Sequence, residues 1–265
     1  MKKDFSKKKL MVFDLDGTLA PSKAVMHEDM SALMTKLLAK MKVAVIGGGK
    51  YDLFKTQFVA ALDCPKALLH NLFLFPTSST AFYRFDGRWR KVYAKELSLR
   101  EKKKIKKAFD ESFKEINYVH PKKVYGAVIE DRGTQITFSA LGQEIVSVLG
   151  EKKGLRLKEE WHAAQDIRPQ LMKALHKRLP EFEVRQGGLT SVDVTYKGID
   201  KAYGIRQIEK QLHVPKKWML FVGDAIFPGG NDYAAVRTGV DYVKVRDPND
   251  TKRLIQSIIK QKSRL

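Results

Sequence analysis

Asp14 and Asp16 are separated by one residue and followed at once by Gly17 and Thr18. They close the apolar run at 10–13, whose length suits a buried parallel strand. Side chains alternate faces along a strand, so both carboxylates would point the same way if the strand ran on. Two acids at a buried strand end are costly unless a cation or a reaction needs them. In an open α/β sheet the carboxyl end of a strand is also where ligands bind. The competing reading is an Asp-Gly turn that merely reverses the chain.

Other segments repeat or complement this pattern. The apolar run at 218–222 ends in Gly223-Asp224, and Pro228-Gly229-Gly230-Asn231-Asp232 follows. Asp224 would add a third carboxylate, and hard oxygen ligands of this kind suit Mg²⁺. Asn231 and Asp232 would brace the site or its waters. A glycine-rich loop with a capping aspartate is the simpler alternative. Lys201 opens a helix after Gly198-Ile199-Asp200. A cation there could hold a phosphoryl group and Asp14 together, or it is one more surface lysine. Gly47-Gly48-Gly49 lies between a strand and a helix. The amides of Gly48 and Gly49 suit a phosphate, although tight connections also need glycine. The Walker spacing is absent, which argues against a nucleotide P-loop. Arg132 sits in a tight turn, and Ser191 and Asp193 share one strand face, as residues binding a polyol would. Taken singly, each of these also fits a structural role. The six histidines are scattered without ligand spacing, so none is assigned a metal.

The elements that must position these residues follow from hydrophobic periodicity. Strands at 10–13, 43–46 and 72–75 alternate with helical stripes, which reads as βαβαβ and a parallel sheet. Runs at 81–85 and 89–93 flank Asp86-Gly87, a hairpin signal. Ser98 and Glu101 form a capping box for a lysine-rich amphipathic helix. Strands at 124–129, 135–139 and 182–185 and a helix at 165–179 complete a mixed block. From Thr190 the α/β alternation returns, with strands at 191–195, 218–222 and 242–245. The expectation is a discontinuous Rossmann-like core, residues 1–82 and 189–265, interrupted by an α+β cap at 83–188.

Composition sets the remaining bounds. The chain has 265 residues, 43% of them hydrophobic, as in a globular protein. No apolar run approaches the roughly 20 residues of a membrane span. Cys64 is the only cysteine, so no internal disulfide can form and a reducing cytoplasm is expected. The net charge of +20 suits nucleic acid, anionic substrates or a generally basic proteome. Many of the lysines fall on the solvated face of the capped helix. No helix-turn-helix, zinc-finger or aromatic RNA-binding signature accompanies them, so a nucleic-acid partner is not expected.

Taken together, these motifs resemble the haloacid-dehalogenase superfamily with a type IIB cap. Within it the chain is similar to the eukaryotic-type phosphomannomutases and their phosphatase relatives. The resemblance covers nearly the whole length. It rests on Asp14-Leu15-Asp16-Gly17-Thr18-Leu19 with Pro21, on Val45-Ile46-Gly47-Gly48, and on Gly187-Gly188 through Ser191 and Asp193 to Asp200-Lys201. Its most specific stretch is Gly223-Asp224 leading to Pro228-Gly229-Gly230-Asn231-Asp232. It implies a nucleophile at Asp14 and an acid/base at Asp16. It also implies Lys201 at the phosphoryl group, and Mg²⁺ at Asp14, the Asp16 carbonyl and Asp224, with Asp232 beside them. Sugar-binding residues fall on Ser191 and Asp193, and one cap arginine falls on Arg132. Related mutases dimerise through the cap, so a homodimer is implied as well.

The departures matter. Pro-Ala-Arg after the nucleophile loop becomes Pro21-Ser22-Lys23, and Gly-Gly-Ser-Asp becomes Gly47-Gly48-Gly49-Lys50. A Gly-Arg pair in the cap becomes Gly142-Gln143. A mutase must hold a second phosphate, which arginine does by bidentate contacts that glutamine cannot supply. The sequence therefore points first to a Mg²⁺-dependent sugar-phosphate phosphatase. A phosphomannomutase whose second phosphate meets Lys23 or Arg156 is the alternative. A nucleic-acid-binding protein on a relict fold is a distant third.

Overall fold

The computed structural model describes residues 4–22 and 24–263. The chain forms two compact units. One takes the residues up to Ala94 and from Asp200 onward, and Lys95–Ile199 form the other.

The first unit is built on a seven-stranded sheet in which β1 (Leu10–Asp14) is the middle one of five parallel strands. Parallel neighbours β10 (Met219–Gly223) and β2 (Lys42–Ile46) flank it. Beyond them lie β11 (Asp241–Lys244) and β3 (Leu72–Phe75), also parallel. The hairpin β4 (Ala81–Asp86) and β5 (Arg88–Ala94) extends the sheet antiparallel. The inner strands are buried on both faces, which is why they read as unbroken runs of Leu, Val, Ile and Phe rather than alternating. One face, with Phe13 and Val45, packs on α1 (Glu28–Leu38) through Met34 and Leu37, and on α10 (Pro248–Lys262) through Ile255 and Ile258. The other, with Val12 and Ile46, packs on Ile205 and Ile208 of α8 (Lys201–Leu212). The architecture is a doubly wound α/β core, as expected from the strand and helix alternation. The short elements α2 (Tyr51–Phe54), α3 (Pro76–Ser79) and α9 (Tyr233–Val236) follow strand ends β2, β3 and β10.

The second unit carries a four-stranded antiparallel sheet, β6 (Ile129–Asp131), β7 (Ile136–Ser139), β9 (Ser191–Tyr196) and β8 (Phe182–Gln186), in that order. Its helices are α4 (Leu99–Glu115), α5 (Ile145–Leu149), α6 (Glu151–Gln165) and α7 (Arg168–Arg178). The capping box of α4 is present: Glu101 accepts from the Ser98 amide at 2.7 Å, and Ser98 Oγ accepts from the Glu101 amide at 3.3 Å. Ile105 and Phe109 of α4 are buried while Lys103, Lys104, Lys106 and Lys107 are exposed, so the lysines do form a solvated face.

Two segments belong elsewhere than expected. The hairpin at 81–94 joins the core sheet instead of opening the cap, because β4 pairs with β3 and stacks Phe82 on Phe75, ring centroids 4.4 Å apart. Strand β9 does not return to the core. It pairs antiparallel with β7 and β8. The units therefore divide at 94/95 and 199/200, rather than at 82/83 and 188/189.

Candidate active site

Phe13 lies opposite Val222 in the parallel pair of β1 and β10, so Asp14 and Asp224 leave the sheet at the same end. Gly17, at φ +83°, makes the turn after β1 possible. A Cβ there would lie 2.7 Å from Asp224 Oδ2, so side chains other than hydrogen are excluded. Thr18 Oγ1 then donates to Asp224 Oδ1 at 3.0 Å. Lys201 arrives from another direction as the first residue of α8. Asp200 caps that helix by accepting from the Tyr203 amide at 2.8 Å, which fixes where Lys201 starts. Lys201 Nζ donates to Asp14 Oδ1 at 2.6 Å and to Asp232 Oδ1. The second oxygen of Asp232 accepts from the Ala225 amide at 2.9 Å.

The cluster is dry. Asp14 and Lys201 are each 4% exposed and Asp232 is 0% exposed. Burial, the largest effect, drives the Asp14 carboxyl well above the usual carboxylate range; Lys201 opposes the rise, and Asp232 and Asp224 add to it. Asp224 is raised by burial and then by Asp232, with Lys201 and Thr18 working against the shift. Burial would lower the Lys201 ammonium, but Asp14 and Asp232 together hold it above its ordinary value. One oxygen each from Asp14, Asp224 and Asp232 lies within 4.8 Å of the others. When all three carboxylates are ionised they exceed the one ammonium by two negative charges, which a divalent ion would balance. The donor set is all oxygen, as a hard cation requires. The residues therefore fit a metal.

Gly47–Gly49 follow Ile46, the residue paired with Asp14. The α3 turn braces this loop: the Thr77 amide donates to the Gly49 carbonyl and the Ser78 amide to the Gly47 carbonyl, both at 2.9 Å. Thr77, Ser78 and Ser79 all adopt positive φ, at 48°, 54° and 70°. Left-handed backbone costs a non-glycine residue about 1 kcal/mol, so the turn is held in place by its neighbours. Thr80 Oγ1 contributes by donating to the Thr77 carbonyl at 2.8 Å.

Of the residues singled out in the sequence, Asp14, Asp224, Asp232 and Lys201 converge. Asp16 is half-buried just past them, in a short bridge with Ala20. Gly49 is buried and Gly48 half-buried. Asn231 is exposed, and among the described residues its side chain bonds none of the three carboxylates. Lys23 lies outside the described residues. Arg132, Ser191 and Asp193 belong to the second unit. There Arg132 Nε donates to Glu130 at 2.8 Å and its Nη2 to Gln143 Oε1 at 3.0 Å. Asp193 accepts from Thr137 Oγ1 at 2.7 Å, and Ser191 is buried on the same strand. Arg156 is exposed on α6 beside Glu160. Sequence reasoning missed two parts of the core site. The sequence motif contains Thr18 but assigns it no role, and no local signal marks the α3 turn, which follows β3.

The doubly wound core, the inserted antiparallel unit and the strand-end carboxylates with their lysine define an enzyme of the haloacid-dehalogenase-like superfamily. Comparison with known proteins narrows this. The family model of eukaryotic phosphomannomutase matches residues 30–261, and the chain belongs to that family. The phosphomannomutase of Encephalitozoon cuniculi is 28% identical, over 96% of this chain and 94% of that protein. That of Saccharomyces cerevisiae is 26% identical, over 94% and 93%. Among solved structures, IMP-bound Plasmodium falciparum IMP-nucleotidase is similar at a TM-score of 0.70 and 16% identity, covering 96% of this chain and 68% of that one. A trehalose-6-phosphate phosphatase related protein is similar at 0.56 and 13%, covering 97% and 99%. These structural likenesses show the fold alone. No helix among the described residues is long and apolar enough to cross a membrane.

Proposed function

We propose that the chain is a Mg²⁺-dependent sugar-phosphate phosphotransferase working through a phosphorylated Asp14, and that its reaction is of the phosphomannomutase type. The observation that carries the chemistry is Lys201, buried between Asp14 and Asp232. Family membership and the names of the relatives favour transfer to a sugar hydroxyl over transfer to water, which reverses the order expected from sequence.

Lys201 fixes Asp14 through Oδ1, leaving Oδ2 for the phosphorus. A bond forms between Asp14 and phosphorus while the bond from phosphorus to the sugar oxygen breaks. Asp16 donates the proton that the leaving oxygen needs. It then takes a proton from the acceptor hydroxyl, which attacks phosphorus and frees Asp14. Asp14, Asp224 and Asp232 would hold Mg²⁺, which when bound neutralises charge on the transferring phosphoryl group. Gly48 and Gly49, on the loop after β2, would receive phosphate oxygens. Ser191 and Asp193 would receive sugar hydroxyls.

One observation favours hydrolysis as a second reading. Gln143, where the family pattern has arginine, accepts from Arg132, and Glu130 neutralises the same guanidinium. That leaves less positive charge for a second phosphate. Mannose 1-phosphate with Mg²⁺ and a catalytic sugar bisphosphate separates the two. Conversion to the 6-phosphate with little phosphate release is the expected result. Stoichiometric release of inorganic phosphate would establish the hydrolase instead.

A further inference from the structure

Among the described residues Arg168 is the largest fully buried side chain, 0% exposed, and the proposed chemistry does not use it. A buried guanidinium is tolerated only when its donors are satisfied. Here all five N–H groups have acceptors. Nε donates to Asp166 Oδ1 at 2.6 Å and Nη2 to Asp166 Oδ2 at 2.8 Å, a bidentate pair. Nη2 also meets His162 Nδ1 at 2.7 Å. Nη1 donates to the Gly188 carbonyl. The Gln186 amide oxygen, in the orientation that satisfies both groups, accepts from Nη1 at 3.0 Å. One side chain thus ties the end of α6, the start of α7, the end of β8 and the turn into β9.

That turn touches the two residues proposed to receive the sugar hydroxyls. The Gly187 amide donates to the Ser191 carbonyl at 2.9 Å. A Cβ on Gly187 would lie 2.9 Å from the Ser191 Cβ and 3.3 Å from Asp193 Oδ2. The position of the Gly187-Gly188 turn therefore sets where the Ser191 and Asp193 side chains stand, and Arg168 holds the turn by its Gly188 carbonyl.

We infer that Arg168, anchored by Asp166 and His162, is a positioning residue for the substrate-binding edge formed by Ser191 and Asp193. The inference rests on the sugar-phosphate reading above. It acts through geometry and requires the planar fork, since an ammonium has three donors and cannot span the same five acceptor directions.

The test uses the full-length protein with Arg168→Lys, and Asp166→Asn as a second variant at a partly exposed position. Two substrates are compared: a sugar phosphate, and an aryl phosphate that has no hydroxyls for β9 to bind. Hydrogen exchange of the 187–193 amides is followed in parallel. Both variants should raise KM for the sugar phosphate about tenfold, with kcat and the aryl phosphate nearly unchanged. Exchange at 187–193 should quicken while α4 keeps its protection. Equal losses on both substrates, or no change in either KM, would overturn the inference. Should the native protein process the aryl phosphate but no sugar phosphate, the functional reading falls, and exchange at 187–193 alone then decides whether Arg168 fixes the turn.

Discussion

The unusual density of charge around Lys201 is the most consequential residue-scale feature. Removing its ammonium leaves Asp14 and Asp232 facing each other in a dry site. Lys201→Met should therefore destabilise the protein by about 3 kcal/mol and abolish turnover. Urea unfolding checks this, and Mg²⁺ should restore part of the loss, whereas an unchanged midpoint would mean that the three acids do not repel. Asp14→Asn removes one negative charge instead, so turnover should vanish while thermal stability holds. The strand-end acids were legible in the sequence because each motif is local: an apolar run, then Asp, then a turn. The bond from Thr18 to Asp224 was not, since it joins residues brought together only by strand pairing. The same holds for Arg168, whose partners come from α6, β8 and the turn into β9.

At the scale of elements, the α3 turn stores strain beside the Gly47–Gly49 loop. Ser78 is half-buried at φ 54°. Ser78→Gly should stabilise the fold by about 0.5–1 kcal/mol by relieving that conformation. A lower melting temperature would show instead that its side chain is needed. In the second unit, Asp166 gives a pH dependence. Burial alone would raise its carboxyl, but hydrogen bonds from Arg168 hold it below the usual carboxylate range. A depressed carboxylate stabilises the fold above its unfolded value and loses that contribution as pH falls toward the folded one. Below about pH 4, native protein should therefore lose stability more steeply than Asp166→Asn, as read from melting against pH. Hydrophobic pattern revealed the hairpin at Asp86-Gly87 and the strand beginning at Ser191, but not the sheet each joins. That choice is made by partners distant in sequence: β3 for the hairpin, and β7 and β8 for β9.

At the scale of the whole molecule, 50 basic residues against 30 acidic ones give a net charge of +20. A field of that sign would draw in the anionic sugar phosphates of the proposed reaction and is screened by salt. Raising ionic strength should lower kcat/KM for a sugar phosphate while leaving kcat nearly constant; an unaltered kcat/KM would assign the charge some other purpose. The decisive question is where the phosphoryl group rests between donor and acceptor. The direct measurement is rapid quenching of the enzyme with Mg²⁺ and a sugar bisphosphate, followed by peptide mass spectrometry. Phosphate on Asp14 alone, formed as fast as turnover and absent in Asp14→Asn, is the predicted result. Turnover with no phosphorylated peptide, or with the phosphate on another residue, would contradict it.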